Sequence, residues 1–142
     1  MYGIVLIIHS WLRWAVIAAG LAAVARGGAQ GSSTGRWFTI LLDVQMLIGL
    51  LLYFVLSPFT TAALGDFGAA MKTPQLRFFA VEHVFGMVIG ITLAHIGAAK
   101  IKKAPDARRG KLALIFYGLA LVAILASIPW PGMPAGRPLF RF

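Results

Sequence analysis

The chain has no cysteine. Disulfides, iron–sulfur ligation, thioether-linked haem and thiol catalysis are therefore excluded. Charge is scarce as well. Only 12% of residues are charged, and just four are acidic, against about 25% charged in ordinary soluble domains. There is no GxSxG, HExxH or Walker motif, and no GxGxxG after a strand-like run. Hydrolytic and nucleotide-driven chemistry lack their machinery. No stretch outside the apolar runs is long enough for a separate soluble domain.

What is present in quantity is apolar surface. Hydrophobic residues make up 60% of the 142 positions, and the mean hydropathy is +0.86. A chain this short cannot hide so much apolar area in its own core, so lipid must cover part of it. Four runs approach the ~20 residues that a ~30 Å hydrocarbon core requires. They cover about 2–25, 37–58, 76–99 and 111–130. The reading is an all-α integral membrane protein, a four-helix transmembrane bundle forming one domain over 1–142. The first run is too long for a signal-peptide h-region, lacks a basic n-region and carries Arg13 in its middle. GGAQGSSTG at 27–35 reads as a flexible turn. Residues 59–75 read as the longest loop, with a short interfacial helix possible near Ala69, Ala70 and Met71. KIKKAPDARRG at 100–110 reads as a basic turn broken by Pro105. The four prolines of the tail, 129–142, rule out a continuing helix there.

The net charge of +9 does not signal nucleic acid, because the basic residues sit at the ends of apolar runs, where they meet lipid headgroups. Arg26, Arg36, Lys100, Lys102, Lys103, Arg108, Arg109 and Lys111 make eight on one side; Lys72, Arg77, Arg137 and Arg141 make four on the other. The positive-inside rule then puts the 1–2 and 3–4 loops in the cytoplasm and both termini outside.

Ionisable groups within such runs are rare and are candidates for function. His9 and His83 stand at similar depth, about seven residues from the same membrane face. Two imidazoles from different helices at one depth suit axial ligation of a haem iron. Arg13, one turn from His9, and Arg77, near the end of the third run, could pair with the propionates, since guanidinium binds carboxylate bidentately. The competing reading is a structural polar cluster of Arg13, Glu82, His9 and His83, with Arg13 and Glu82 as its ion pair. Deeper in, Asp43 and Gln45 of the second run face His95 of the third at similar depth, and Asp43 could hold the His95 tautomer. His95 follows His83 by twelve residues, about 120° round a helix. A second bis-histidine haem is thus not expected, and His95 reads as a structural hydrogen-bonder. Gly86, Gly90, Ala94 and Ala98 recur every four residues, a stripe that lets helices approach closely.

HSWLRW at 9–14, VQMLIGLLLYF at 44–54, RFFAVEH at 77–83 and ASIPWP at 126–131 carry a resemblance that covers most of the chain. It resembles a group of small bacterial four-helix membrane proteins described as cytochrome b-like. That resemblance implies a bacterial inner (cytoplasmic) membrane location and one haem b held through His9 and His83. Some members of the group carry a His where this chain has Asp43. The expected function is haem b binding in electron transfer, beside a larger membrane redox complex or as a homo-oligomer within the lipid bilayer. The alternative is a cofactor-free accessory subunit of a respiratory or photosynthetic complex, with the tail GRPLFRF docking on a partner. A proton path through Asp43, His95, Glu82 and His83 is a third expectation, weakened by an apolar gap of about two to three turns.

Overall fold

The four apolar runs become four long helical spans in the computed structural model, which describes residues 1–142 and contains no β-strand. The first span is α1, Tyr2–Arg26. The second is α2, Thr34–Leu51, prolonged by a π-helical turn, Leu52–Leu56. Two short helices follow, α3 (Pro58–Gly65) and α4 (Phe67–Lys72). The third span opens as α5, Pro74–Arg77, passes through a second π-helical turn, Phe78–Glu82, and continues as α6, His83–Lys103. The fourth is α7, Asp106–Ala126. All four spans are long and apolar enough to cross a bilayer. The protein is an all-α, multi-pass bundle in which α1–α2, α2–α6, α6–α7 and α7–α1 are neighbours. The α1 and α6 helices therefore face each other across the diagonal.

The connections depart from expectation. The segment 59–75 is mostly helical, because three start signals follow one another. Ser57 caps α3, its hydroxyl accepting from the Thr60 N–H at 3.5 Å, with Pro58 in the first turn. Asp66 caps α4, accepting from the Ala69 N–H at 2.9 Å. Thr73 then precedes Pro74, whose fixed φ suits a first helical turn. The basic turn expected over 100–110 shrinks to Ala104 and Pro105. The fourth span ends at Ala126 rather than near 130, three residues before a proline that has no N–H to donate.

Only 26 of 142 residues are buried within the chain, so most of the large apolar side chains face outward. Leu47, Phe54, Phe85, Leu114 and Val122 are each more than half exposed. The interior combines a few large side chains, such as Phe38, Tyr117 and Ile128, with many small ones. A Cβ on Gly86 would overlap the Ser127 side chain, and one on Gly90 would lie 2.7 Å from Ile124 Cγ1. Backbones of α6 and α7 thus approach closely, as small-residue stripes allow. Farther along α6 the buried positions are Ala94, Gly97 and Ile101, with Ala98 only partly buried. The stripe drifts from a strict four-residue repeat because 3.6 residues make a turn.

The two π-helical turns lie at the end of the bundle that carries the termini. They are tied together: the Tyr53 hydroxyl donates to the Ala80 carbonyl at 2.9 Å, and the Thr60 hydroxyl donates to the Tyr53 carbonyl at 2.6 Å. Side-chain donors of this kind satisfy backbone groups that a local change of winding disturbs, which matters where no water is at hand.

Candidate functional site

Between the spans, at the end carrying the termini, lies a cavity of about 150 Å³. His9 enters it from α1 and His83 from the first turn of α6, with ring centroids 6.3 Å apart and planes inclined at 68°. The expected pair is thus brought together across the diagonal of the bundle.

Each imidazole is positioned by its neighbours. The α7 helix ends at Ala126, and the carbonyls of a last turn have no intrahelical partner. His83 Nδ1 uses one of the groups freed there, donating to the Ser127 carbonyl at 2.7 Å. A carbonyl can only accept, so Nδ1 carries the proton and Nε2 keeps a lone pair. The Trp130 indole N–H serves another end carbonyl, that of Leu125, at 2.8 Å. His9 packs against Gly49, where a Cβ would lie 3.3 Å from the ring. Its own carbonyl accepts from Gln45 Nε2 at 3.0 Å.

Four buried polar atoms have no hydrogen-bond partner in the chain: His9 Nδ1, Arg13 Nε, Gln45 Oε1 and Arg137 Nη2. All four belong to residues that line this one cavity. Buried groups of this kind are seldom left unpaired, and each asks for an explanation. Arg141 joins Arg13 and Arg137 in the lining, and no Asp or Glu does. The cavity thus presents guanidinium donors and two imidazoles with no carboxylate among them.

Several expected placements are corrected. Arg77 does not reach the cavity. Its Nε pairs with Glu82 Oε1 at 2.7 Å, both side chains nearly half exposed. The π-helical turn between them explains this, because its i→i+5 hydrogen bonding stacks residues five apart. Glu82 is for the same reason not the partner of Arg13. Arg13 Nη2 instead donates to the Leu139 carbonyl at 2.6 Å. Gln45 belongs with His9 rather than with Asp43, since residues two apart on a helix do not share a face. The Asp43–His95 pairing is present, with Oδ1 and Nε2 2.8 Å apart. Both side chains are 50% exposed on the outside of the bundle. Asp43 and His95 therefore do not continue a path from the interior histidines.

The tail packs on its own chain at the cavity end. Residues 127–142 fold back over the mouth of the cavity. The Trp11 indole N–H donates to the Arg141 carbonyl at 2.8 Å and that of Trp14 to the Leu139 carbonyl at 3.3 Å, while Phe140 stacks on Trp14. Gly132, at φ +91, makes the turn that lets the chain reverse. Arg137 lies over the rings of Phe59 and Phe79, at 4.4 and 5.1 Å. Arg137 and Arg141 take the place in the cavity expected for Arg77. Their approach to His9 depends on that reversal, which no local spacing announces.

No family model, curated protein or solved structure matches the chain.

Proposed function

We propose that the protein is a membrane haem b protein with a role in electron transfer, and that His9 and His83 are the residues that would hold the iron. The observation that carries this reading is the imidazole pair, 6.3 Å between centroids, inside a cavity whose unpartnered atoms include three basic residues. Two metal–imidazole bonds of about 2 Å each, with half a ring beyond each, span a distance of that order. Nowhere do three or more His, Asp or Glu side chains gather to hold a bare metal ion. Two imidazoles suffice for haem, whose porphyrin supplies the other four nitrogens.

The fit extends to the surrounding residues. The Ser127 carbonyl sets the His83 tautomer and orientation, the outer hydrogen bond that ligating histidines ordinarily make. Gly49 leaves room for the His9 ring, and Gln45 holds the backbone behind it. Leu6, Leu50, Val84, Met87, Ile124 and Ile128 supply apolar walls. Arg13 offers a guanidinium to a carboxylate. Bound haem supplies a one-electron couple, and the protein's part is to hold it, exclude water and set its environment. The basic 1–2 and 3–4 loops facing the cytoplasm, in a bacterial inner membrane, belong to the same proposal.

The test is the absorption spectrum of protein purified with ample haem supply, oxidised and dithionite-reduced. Wild type should show a low-spin, six-coordinate Soret and α-band pattern. His9→Ala or His83→Ala should give a high-spin spectrum or no haem, while His95→Ala leaves the spectrum intact. Absence of a Soret band from wild type, or its loss only in His95→Ala, defeats the assignment.

A second reading is the cofactor-free accessory subunit of a larger membrane complex. The Asp43–His95 pair favours it. Polar groups within a span ordinarily face protein or a water-filled cavity, and this pair is half exposed. A partner's helix would cover it. On this reading wild type shows no Soret band, and the cavity groups serve as a clasp between α1 and α6.

A further inference from the structure

Three guanidinium groups line the mouth of the histidine cavity, Arg13 from α1 and Arg137 and Arg141 from the tail. Nothing acidic lines it with them. Glu82 is engaged by Arg77, and Asp43 by His95 on the outside of the bundle. Arg13 Nε and Arg137 Nη2 are buried and unpartnered. Burial first, and the neighbouring Arg141 charge as well, hold the Arg137 guanidinium below its ordinary range, with Tyr2 partly opposing. Left to themselves, three like charges at a poorly solvated mouth would splay outward. Here the tail backbone is held in place instead. Arg13 Nη2 and the Trp14 indole both donate to the Leu139 carbonyl, the Trp11 indole donates to the Arg141 carbonyl, and Arg137 rests on Phe59 and Phe79. The Arg137 N–H donates to the Pro129 carbonyl at 3.0 Å, closing the loop at its base. A gathered set of guanidinium forks with free donors and no carboxylate calls for a ligand bearing more than one negative charge.

We propose that Arg13, Arg137 and Arg141 form a dicarboxylate clamp for the two propionates of the haem, and that the tail, 129–142, is the latch that carries two of its three jaws. This rests on the haem reading, and it assigns to the tail a binding role within its own chain. The clamp distinguishes a dianionic porphyrin from a neutral one of the same shape. The axial ligands alone do not, because imidazole meets the iron in both.

The experiment is a titration of the full-length protein in detergent, stripped of haem, with haem b and separately with its dimethyl ester, in which both propionates are neutralised. Binding is read from the Soret band and from quenching of Trp fluorescence. Wild type should bind haem at least tenfold more tightly than the ester. Arg137→Gln and Arg141→Gln should each weaken haem about tenfold or more, leave ester binding nearly unchanged, and keep the low-spin spectrum. Should a Gln variant fail to fold by circular dichroism, Arg137→Lys and Arg141→Lys carry the test, keeping the charge but losing the fork. They should weaken haem several-fold and leave the ester alone. Equal binding of haem and ester by wild type, or Arg variants that bind haem as wild type does, overturns the clamp and leaves the haem reading standing. If wild type takes up neither compound, both fall.

Discussion

At the scale of single residues, the tautomer of His83 follows from where a neighbouring helix stops. The α7 helix ends at Ala126, the Ser127 carbonyl is left without a helical donor, and His83 Nδ1–H fills the gap at 2.7 Å. Nε2 is then the only ring nitrogen with a lone pair to offer. The Asp43–His95 pair has the opposite character. It is half exposed, sits on the outside of the bundle, and neither residue lines the cavity. Asp43→Asn keeps a hydrogen bond to His95 but removes the charge. It should cost about 1 kcal/mol, in the range measured for interhelical hydrogen bonds in membranes. The measurement is reversible unfolding in mixed micelles. Loss of the proposed haem in this variant, with the fold intact, would contradict the separation of the two groups.

At the scale of the element, packing of α6 on α7 and placement of His83 are one problem. Gly86 faces Ser127 so closely that any Cβ would overlap its hydroxyl. That hydroxyl donates to the Ala123 carbonyl at 2.8 Å, while the Ser127 carbonyl holds His83. Gly86→Val should therefore displace the end of α7 and destabilise by roughly 1–3 kcal/mol, the usual cost of overpacking. It should also release the His83 ring. Thermal unfolding followed by circular dichroism reads the first effect. The chemical shift of the His83 ring nitrogens, or the Soret position when haem is bound, reads the second. A Val variant as stable as wild type would mean that α6 and α7 can separate at no cost. The π-helical turns belong to this scale too. By stacking Arg77 on Glu82, the second one pairs that carboxylate outside the cavity.

At the scale of the whole molecule, four spans place both termini at one end, together with the cavity, α3, α4 and the folded tail. The other end carries eight basic residues, and the orientation proposed above, with that end in the cytoplasm, rests on them. The absence of native cysteine makes a clean labelling test. Gly136 is a poor position for it, since a Cβ there would press to 2.7 Å of the Trp130 carbonyl. Met133→Cys, on the exposed side of the tail, should react with an impermeant maleimide added outside. Ala107→Cys, exposed at the start of α7, should react only after the membrane is opened. The reverse pattern would invert the topology.

Class and span number were legible from the chain alone, because hydropathy over ~20 residues is a local property with a physical length behind it. The same holds for the two histidines at one depth, since rise per residue converts position into depth, and for the uneven distribution of Lys and Arg. Rotation about each helix axis is another matter. Depth placed Gln45 beside Asp43, yet the two point to different sides of α2, one to His9 and one outward. Arg77 had the right depth and the wrong direction, turned aside by a π-helical turn that hydropathy does not register. The helix starts at Ser57, Asp66 and Thr73–Pro74 lie among Gly and Pro residues that read locally as loop, so the sequence leaves 59–75 ambiguous. The place of Arg137 and Arg141 was decided by tertiary structure alone. It depends on the chain reversing at Gly132 and on Trp11 and Trp14, more than a hundred residues away, supplying N–H groups to the tail's carbonyls. Sequence sets what each helix can bury, but contacts between distant segments set which residues meet.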